Sequence, residues 1–218
     1  MPFTARDRSK YPVVIGCDEV GRGALSGPVV VAAVWFEPET MPRKLLRELD
    51  DSKNLTAEKR RELTAWIRET SRVTVAANSV SIIDVRNIRN ATLDAMRRAI
   101  MKLQIESPVM IDGVDIPPGL PHNCSAIVKG DAKVPQIAAA SIVAKTFRDG
   151  LMAKLGIKYP AYAWERNAGY GTRHHLTAIG LHGTTAHHRK SYAPVAQYLI
   201  DLELSAEMPD ATLEAIAE

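Results

Sequence analysis

An α/β fold, a mixed sheet flanked by helices on both faces with a helical C-terminal segment, is predicted by three observations. Two apolar runs near the N-terminus, at 12–17 and 28–36, are joined by a short glycine-rich stretch, as hairpin-linked strands are. Beyond them, segments of helical spacing alternate with short apolar runs, the pattern of helix–strand units feeding one sheet. At 218 residues and 46% hydrophobic composition, the chain can bury one large core.

The elements follow in order. After the hairpin, "TAEKRRELTAWIRET" (56–70) can be N-capped by Thr56, and Leu63, Trp66 and Ile67 then share one helical face. "RVTVAANSV" (72–80) alternates and predicts a third strand. "SIIDVRNIRNATLDAMRRAIMKL" (81–103) predicts a helix opened by a Ser81-x-x-Asp84 capping pattern. "PVMIDG" (108–113) and "CSAIVKGD" (124–131) predict strands ending in Asp112 and Asp131. "VPQIAAASIVAKTFRDGLMAKLG" (134–156) predicts a helix whose small residues allow close packing on a sheet. From about 157 the chain is expected to form the helical segment, within one domain spanning 1–204, and 205–218 to be a loose acidic tail.

A net charge of +3 permits a polyanionic ligand held by a local patch, but is below what a strongly cationic nucleic-acid coat would show. Cys17 and Cys124 form no C-x-x-C pair, which argues against a zinc ribbon or a redox motif and suits two buried thiols in a reducing compartment. The N-terminus lacks the apolar stretch of a signal peptide, and no run is long enough to span a bilayer. A cytoplasmic protein without membrane attachment is expected.

Carboxylates carry the chemical signal. Asp18, Asp112 and Asp131 each close an apolar run, and Glu19 adjoins Asp18. Singly, each aspartate reads as a turn or a cap. Together, at neighbouring strand ends, such acids would raise one another's pKa unless a cation stood between them. Hard oxygen ligands suit Mg²⁺ or Mn²⁺, and two such ions about 3.5–4 Å apart assist phosphoryl displacement. Strand alternation opposes the grouping, because Asp18 and Glu19 should face opposite ways unless the chain turns at Gly21.

"GRGALSG" (21–27) follows a strand, as a dinucleotide-binding loop does. Its spacing is G-x-G-x-x-x-G, however, and a strand rather than a helix follows, so that context fails. A loop whose backbone approaches a nucleic-acid strand, with Arg22 on a phosphate, is the other functional reading; a plain hairpin loop is about as good. Ser52 and Lys53, in "DSKNL" before a helix, could hold a phosphate or could simply be solvated. Tyr170, in "GYGT", could stack on a sugar or base. Five histidines fall within 174–188, without the i, i+4 pair a helical metal site needs, so helix-surface positions are expected for them.

Taken together, "GCDEVGRGALSGPVVVAAV", "DSKNLTAEKR", "MIDG", "KGDAKVPQIAAASIVAKTFRD", "GYGTRHH" and "HHRKSY", in this order, resemble bacterial type 2 ribonuclease H, ribonuclease HII, over about 12–195. The resemblance implies an RNase H-like fold. It implies hydrolysis of the RNA strand of RNA–DNA hybrids and incision 5′ to single ribonucleotides in duplex DNA, leaving 5′-phosphate and 3′-hydroxyl ends. It implies two Mn²⁺ or Mg²⁺ ions on Asp18, Glu19, Asp112 and Asp131. Gly21, Arg22 and Gly23 would read the RNA–DNA junction, Tyr170 would sense it, and Ser52 and Lys53 would contact phosphate. The family often has another residue where Gly171 stands and phenylalanine at Tyr192. Asp149 is expected to be supportive or structural. A role in ribonucleotide removal and a monomeric state are also implied. A DNA-junction nuclease and a non-catalytic hybrid-binding module are the rivals, separable by cleavage of DNA-only duplexes and by binding without cleavage; a nucleotide-binding oxidoreductase is weaker still.

Overall fold

A computed structural model describes residues 3, 8–49, 52, 54–120 and 123–207. Strands β1 (Ile15–Val20) and β2 (Val29–Trp35) form the N-terminal hairpin. Helices α1 (Arg43–Glu48) and α2 (Ala57–Thr70) lead to β3 (Arg72–Asn78). Helix α3 (Val80–Leu103), β4 (Val109–Asp112), β5 (Cys124–Ile127) and α4 (Pro135–Lys158) complete the layered body. Short α5 (Trp164–Asn167), α6 (Arg173–His182) and α7 (Ala193–Glu207) make up the C-terminal segment.

The strands stand in the order β3-β2-β1-β4-β5. β1 pairs antiparallel with β2 and parallel with β4, and β4 pairs parallel with β5. Alternation along β1 divides the core. Ile15 and Cys17 pack with Val31, Leu93, Met96 and Ile100 on the α3 face. On the opposite face Val30, Ala32 and Val34 meet α2 and the alanines of α4. Those small residues let α4 lie directly on the sheet: a Cβ at Gly16 would fall 2.2 Å from the Gln136 carbonyl carbon. The Gln136 amide donates to the carbonyls of Pro12 (2.9 Å) and Phe36 (3.0 Å), tying the helix to both ends of the hairpin. Leu63 of α2 is fully buried there, and truncating such a side chain to alanine costs about 2–5 kcal/mol. The C-terminal segment has its own cluster, in which Trp164, Tyr162, Ile179 and Val195 pack on Met152 of α4 and Leu25 of the hairpin loop.

The mixed sheet, its flanking helices and the helical C-terminal segment agree with the sequence reading, and Thr56 caps α2 by accepting the Lys59 N–H at 3.2 Å. Several details differ. α1 was not anticipated, being only six residues long with Leu45 and Leu46 as its buried contacts. α3 begins at Val80, so Ser81 is not its cap; Asp84 instead accepts from the Lys190 and Ser191 backbones at 3.1 and 3.0 Å. The helix also breaks at Asn87 (φ 62°, ψ 162°), whose side chain caps the continuation through the Asn90 N–H. β1 runs past Asp18 to Val20, and β5 stops at Ile127, leaving Asp131 in a 3₁₀ turn (Gly130–Ala132) entered through Lys129 at φ 54°. Cys17 is buried as expected, whereas Cys124 is only part-buried on the edge strand. Residues 205–207 continue α7, and the rest of the expected acidic tail lies outside the described residues. Among the described residues no helix is long and apolar enough to cross a membrane.

Candidate active site

β1 and β4 run parallel with Cys17 opposite Ile111, so Asp18 and Asp112 are the next residues along adjacent strands. Asp18 points to the α4 face, where the Ser141 hydroxyl hydrogen-bonds it. Glu19 lies on the α3 face, 3.5 Å from the Arg22 guanidinium, beside Thr92 and Met96. Alternation therefore holds, and the chain does not turn between them. Both still reach the same opening because they stand at the open end of the sheet, where a side chain from either face can lean over the edge.

Asp131 arrives from another direction. Asp112 accepts the Gly130 N–H at 2.7 Å, which docks the 3₁₀ turn on the end of β4. A Cβ at Gly130 would lie 2.6 Å from Ile137 Cδ1 and 3.3 Å from Asp112 Oδ1, so any larger residue there would push on both side chains. Asp18, Glu19, Asp112 and Asp131 thus line one pocket of about 380 Å³, with Ser52, Ser141, Lys145 and Tyr170 on its walls. A separate cavity of about 670 Å³ is at the other end of the sheet between Ile15, Ile100, Met101 and Pro108, with Glu106 the charged group in its lining.

Burial, then repulsion by Glu19, pushes the Asp18 carboxyl well above the usual carboxylate range, with Asp112 adding to it. Burial raises Glu19 as well; Arg22 offsets part of that and Asp112 reinforces it. This is the electrostatic condition a cation relieves. The donor set is all hard oxygen, which fits a small divalent ion. Among the described residues no group of three or more His, Cys, Asp or Glu side chains is drawn together closely enough to enclose an ion. The acids share a pocket but do not yet converge on a point.

The 21–27 loop is held from inside by two arginines. Arg148 of α4, fully buried, donates to the carbonyls of Pro28 (2.9 Å), Ser26 (3.0 Å) and Ala168 (2.7 Å), and its guanidinium lies 5.6 Å from the centre of the Tyr170 ring. Burial lowers its pKa to about 10, still far above neutrality. Arg189, also fully buried, donates to Gly21, Arg22 and Gly27 carbonyls. Gly21 has φ +90°, and a Cβ there would fall 2.1 Å from Arg148 Nε, so both its conformation and its space require glycine.

Tyr170 is set by a second polar cluster. The His175 Nδ1–H donates to the Tyr170 carbonyl at 2.9 Å, leaving Nε2 to accept the Trp164 Nε1–H at 3.0 Å. His188 Nδ1 accepts the Thr185 N–H at 2.9 Å, so its proton is on Nε2, which stands 3.1 Å from His175 Nε2. Both rings are therefore neutral, and both are buried, which corrects the expectation of helix-surface positions for these two, while His174 and His182 are exposed on α6 as expected. Burial lowers the pKa of each, His188 to about 4.

Ser52 reaches the pocket wall and is hydrogen-bonded to Ser141 at 3.0 Å. Its carbonyl accepts from Arg60, and Arg60 in turn pairs with Asp149 at 3.0 Å; Asp149 also holds Lys145 at 2.7 Å. Asp149 is thus a structural ion-pair centre. Lys53 lies outside the described residues. Arg22 and Gly23 are exposed on the loop's outer side, and Arg22 meets Glu19.

Sequence reasoning missed Arg148, Arg189, Ser141, Lys145 and the buried histidine pair. For Arg148 a signal existed: it continues the buried stripe Ala144–Arg148–Met152–Gly156 at spacing four, where a charge must find internal partners. Arg189 has no such periodicity and is legible only from contacts.

The chain is similar to known proteins over most of its length. The family model described as Ribonuclease HII matches residues 15–195. The "Ribonuclease HII" of Paramagnetospirillum magneticum is 48% identical over 201 residues, covering 92% of this chain and all of its own. Among solved structures, the chain is similar to one in the PCNA:RNase HII complex from Archaeoglobus fulgidus (27% identity, TM-score 0.69, covering 83% of this chain and 95% of that one). It shares the fold of the ribonuclease H2 from Pyrococcus horikoshii OT3 (24% identity, TM-score 0.73, covering 85% and 96%). An RNase H-like sheet with an acid-lined pocket, joined to a family match over most of its length, places this chain in the ribonuclease HII family, as a metal-dependent ribonuclease H.

Proposed function

We propose that the protein cleaves the RNA strand of RNA–DNA hybrids and nicks duplex DNA on the 5′ side of single ribonucleotides, leaving 5′-phosphate and 3′-hydroxyl ends. The observation that carries this reading is the meeting of Asp18, Glu19, Asp112 and Asp131 in one pocket beside the Gly21–Gly23 loop and Tyr170. The four acids would hold two Mg²⁺ or Mn²⁺ ions. Such ions, when bound, activate a water and neutralise charge on the leaving oxygen. Asp18 would be one of the residues that hold them, and the Ser141 hydroxyl hydrogen-bonds its carboxylate.

The remaining residues select and place the strand. The Gly21–Gly23 backbone would read the 2′-hydroxyl, the feature that separates RNA from DNA, and Tyr170 would pack on the sugar. Arg22, Ser52 and Lys53 would hold flanking phosphates. Because Ser52 is buried against Ser141, it would contact only a phosphate that enters the pocket. Removal of ribonucleotides from DNA by a cytoplasmic monomer is the role that fits this activity.

A duplex carrying one ribonucleotide tests the reading. Incubation with Mg²⁺ or Mn²⁺ is expected to give one nick, with the ribonucleotide at the 5′ end of the downstream fragment. Equal nicking of an all-DNA duplex would replace this reading by a DNA nuclease, and binding without cleavage by a hybrid-binding module.

A further inference from the structure

We infer that Arg189 is a positioning residue that turns the peptide planes of the 21–23 loop, so that the N–H groups of Arg22 and Gly23, and not their neighbouring carbonyls, face the ribose. This rests on the reading of that loop as the ribose-recognising element.

Arg189 is fully buried and spends its guanidinium on one stretch of backbone. Nη2 donates to the Gly21 carbonyl at 2.7 Å and Nη1 to the Arg22 carbonyl at 2.8 Å. Nε and Nη2 both reach the Gly27 carbonyl, at 3.0 and 2.8 Å. The Tyr192 hydroxyl, itself accepting from Arg189 at 2.9 Å, donates to the same Arg22 carbonyl. The Arg189 N–H closes the frame on the Leu25 carbonyl at 2.8 Å.

In a trans peptide the C=O and the following N–H point in opposite directions, and no cis peptide occurs among the described residues. Carbonyls 21 and 22 point inward at Arg189, so N–H groups 22 and 23 point outward. Arg22 and Gly23 are exposed, and among the described residues no backbone or side-chain acceptor is hydrogen-bonded to either N–H. Two adjacent outward amides accept nothing and donate twice. They suit an oxygen acceptor, such as a ribose hydroxyl, and offer nothing to the bare C2′ of deoxyribose. Without Arg189, the positive φ of Gly21 and the freedom of Gly23 would let either peptide flip and bury the donor. Arg189 itself, under the loop, touches no substrate.

The test uses the full chain in an Asp18→Asn background, so that the duplex survives in Mg²⁺. Arg189→Lys keeps the charge but cannot span three carbonyls; Arg189→Met keeps the stem and removes the donors. Affinity is read by anisotropy for a duplex with one ribonucleotide and for its all-DNA counterpart, with a thermal melt of each variant. The ratio of the two affinities is expected to fall about tenfold or more in both variants, while affinity for the all-DNA duplex stays within about twofold, because phosphate contacts common to both duplexes set it. Hydrogen exchange at 25–27 is expected to quicken in Arg189→Lys. A folded Arg189→Lys with an unchanged ratio overturns the inference, as does an equal loss on both duplexes, which is what a merely structural role gives. Failure of the underlying reading looks different: the Asp18→Asn protein with Arg189 in place would itself show no preference for ribose, and the inference falls with it.

Discussion

Asp18 accepts the N–H of Glu19 at 2.7 Å, so the first acid of the pair leans over the backbone of the second at the rim of the sheet. This single bond keeps a mostly buried carboxylate at the edge of the pocket while Glu19 approaches from the other face. The adjacent acids are thereby directed to one space although strand geometry sends them apart.

Asp18→Asn should reduce Mg²⁺- or Mn²⁺-dependent nicking of a single-ribonucleotide duplex by at least about a hundredfold, the scale of losing a principal electrostatic element of a site. It should not destabilise the metal-free protein, because it removes a buried charge repelled by Glu19 and Asp112. Melting curves in EDTA and product gels check the two halves separately; a lowered melting temperature with intact nicking would contradict both.

Gly21→Ala should cost about 1–3 kcal/mol of stability, from a left-handed φ and a Cβ pressed on Arg148. Because Arg148 also supports Tyr170, single-ribonucleotide incision should fall further than the loss of stability accounts for at a temperature where the variant is folded. Denaturant unfolding with kcat/KM on the same preparation measures this.

Asp149→Ala leaves Arg60 and Lys145 without their shared carboxylate. Arg60 then holds the Ser52 carbonyl less firmly, and the phosphate-side wall of the pocket loosens. We expect KM for the duplex to rise about five- to tenfold with a smaller change in kcat, and stability to fall by roughly 1–2 kcal/mol. A kcat loss at constant KM would instead assign Asp149 to the chemistry.

The histidine pair gives the protein an acid limit. His188 is held neutral, with its pKa lowered to about 4 by burial and by His175. A depressed folded pKa means that the unfolded chain takes up the proton first, so stability is full above about pH 6.5 and is lost as pH falls toward 4. The shift corresponds to roughly 3 kcal/mol at most. Melting temperature measured from pH 7 to pH 4.5 should drop more steeply for the native chain than for His188→Gln; parallel curves would remove His188 as the cause.

How much was legible follows from what each signal depends on. The helices α2 and α4 and the strands β1 to β4 show in local periodicity, because each buries one face or stripe against the sheet. That Asp18 and Asp112 each close an apolar run was legible; that the two runs lie side by side in parallel is a tertiary contact that only the structure supplies. Asp131 was picked out for a wrong local reason: it is carried not by a strand end but by a 3₁₀ turn that Gly130 docks on Asp112. The cap of α3 was misread because Asp84 is used at long range, by the 190–191 backbone, and nothing local reveals that.

The sequence by itself determined the layered α/β class, the identity of the acids and the glycines beside them, since these depend on residue type and short-range spacing. Tertiary structure alone decided how Asp18 and Glu19 share a pocket from opposite faces, and which way the peptides of the 21–23 loop point. The first depends on where a strand reaches the sheet's edge. The second depends on Arg189, which is 168 residues from the Gly21 carbonyl it holds. A hydrogen bond over that separation leaves no periodic trace in the chain, because its energy is set by the folded distance and not by the residues between.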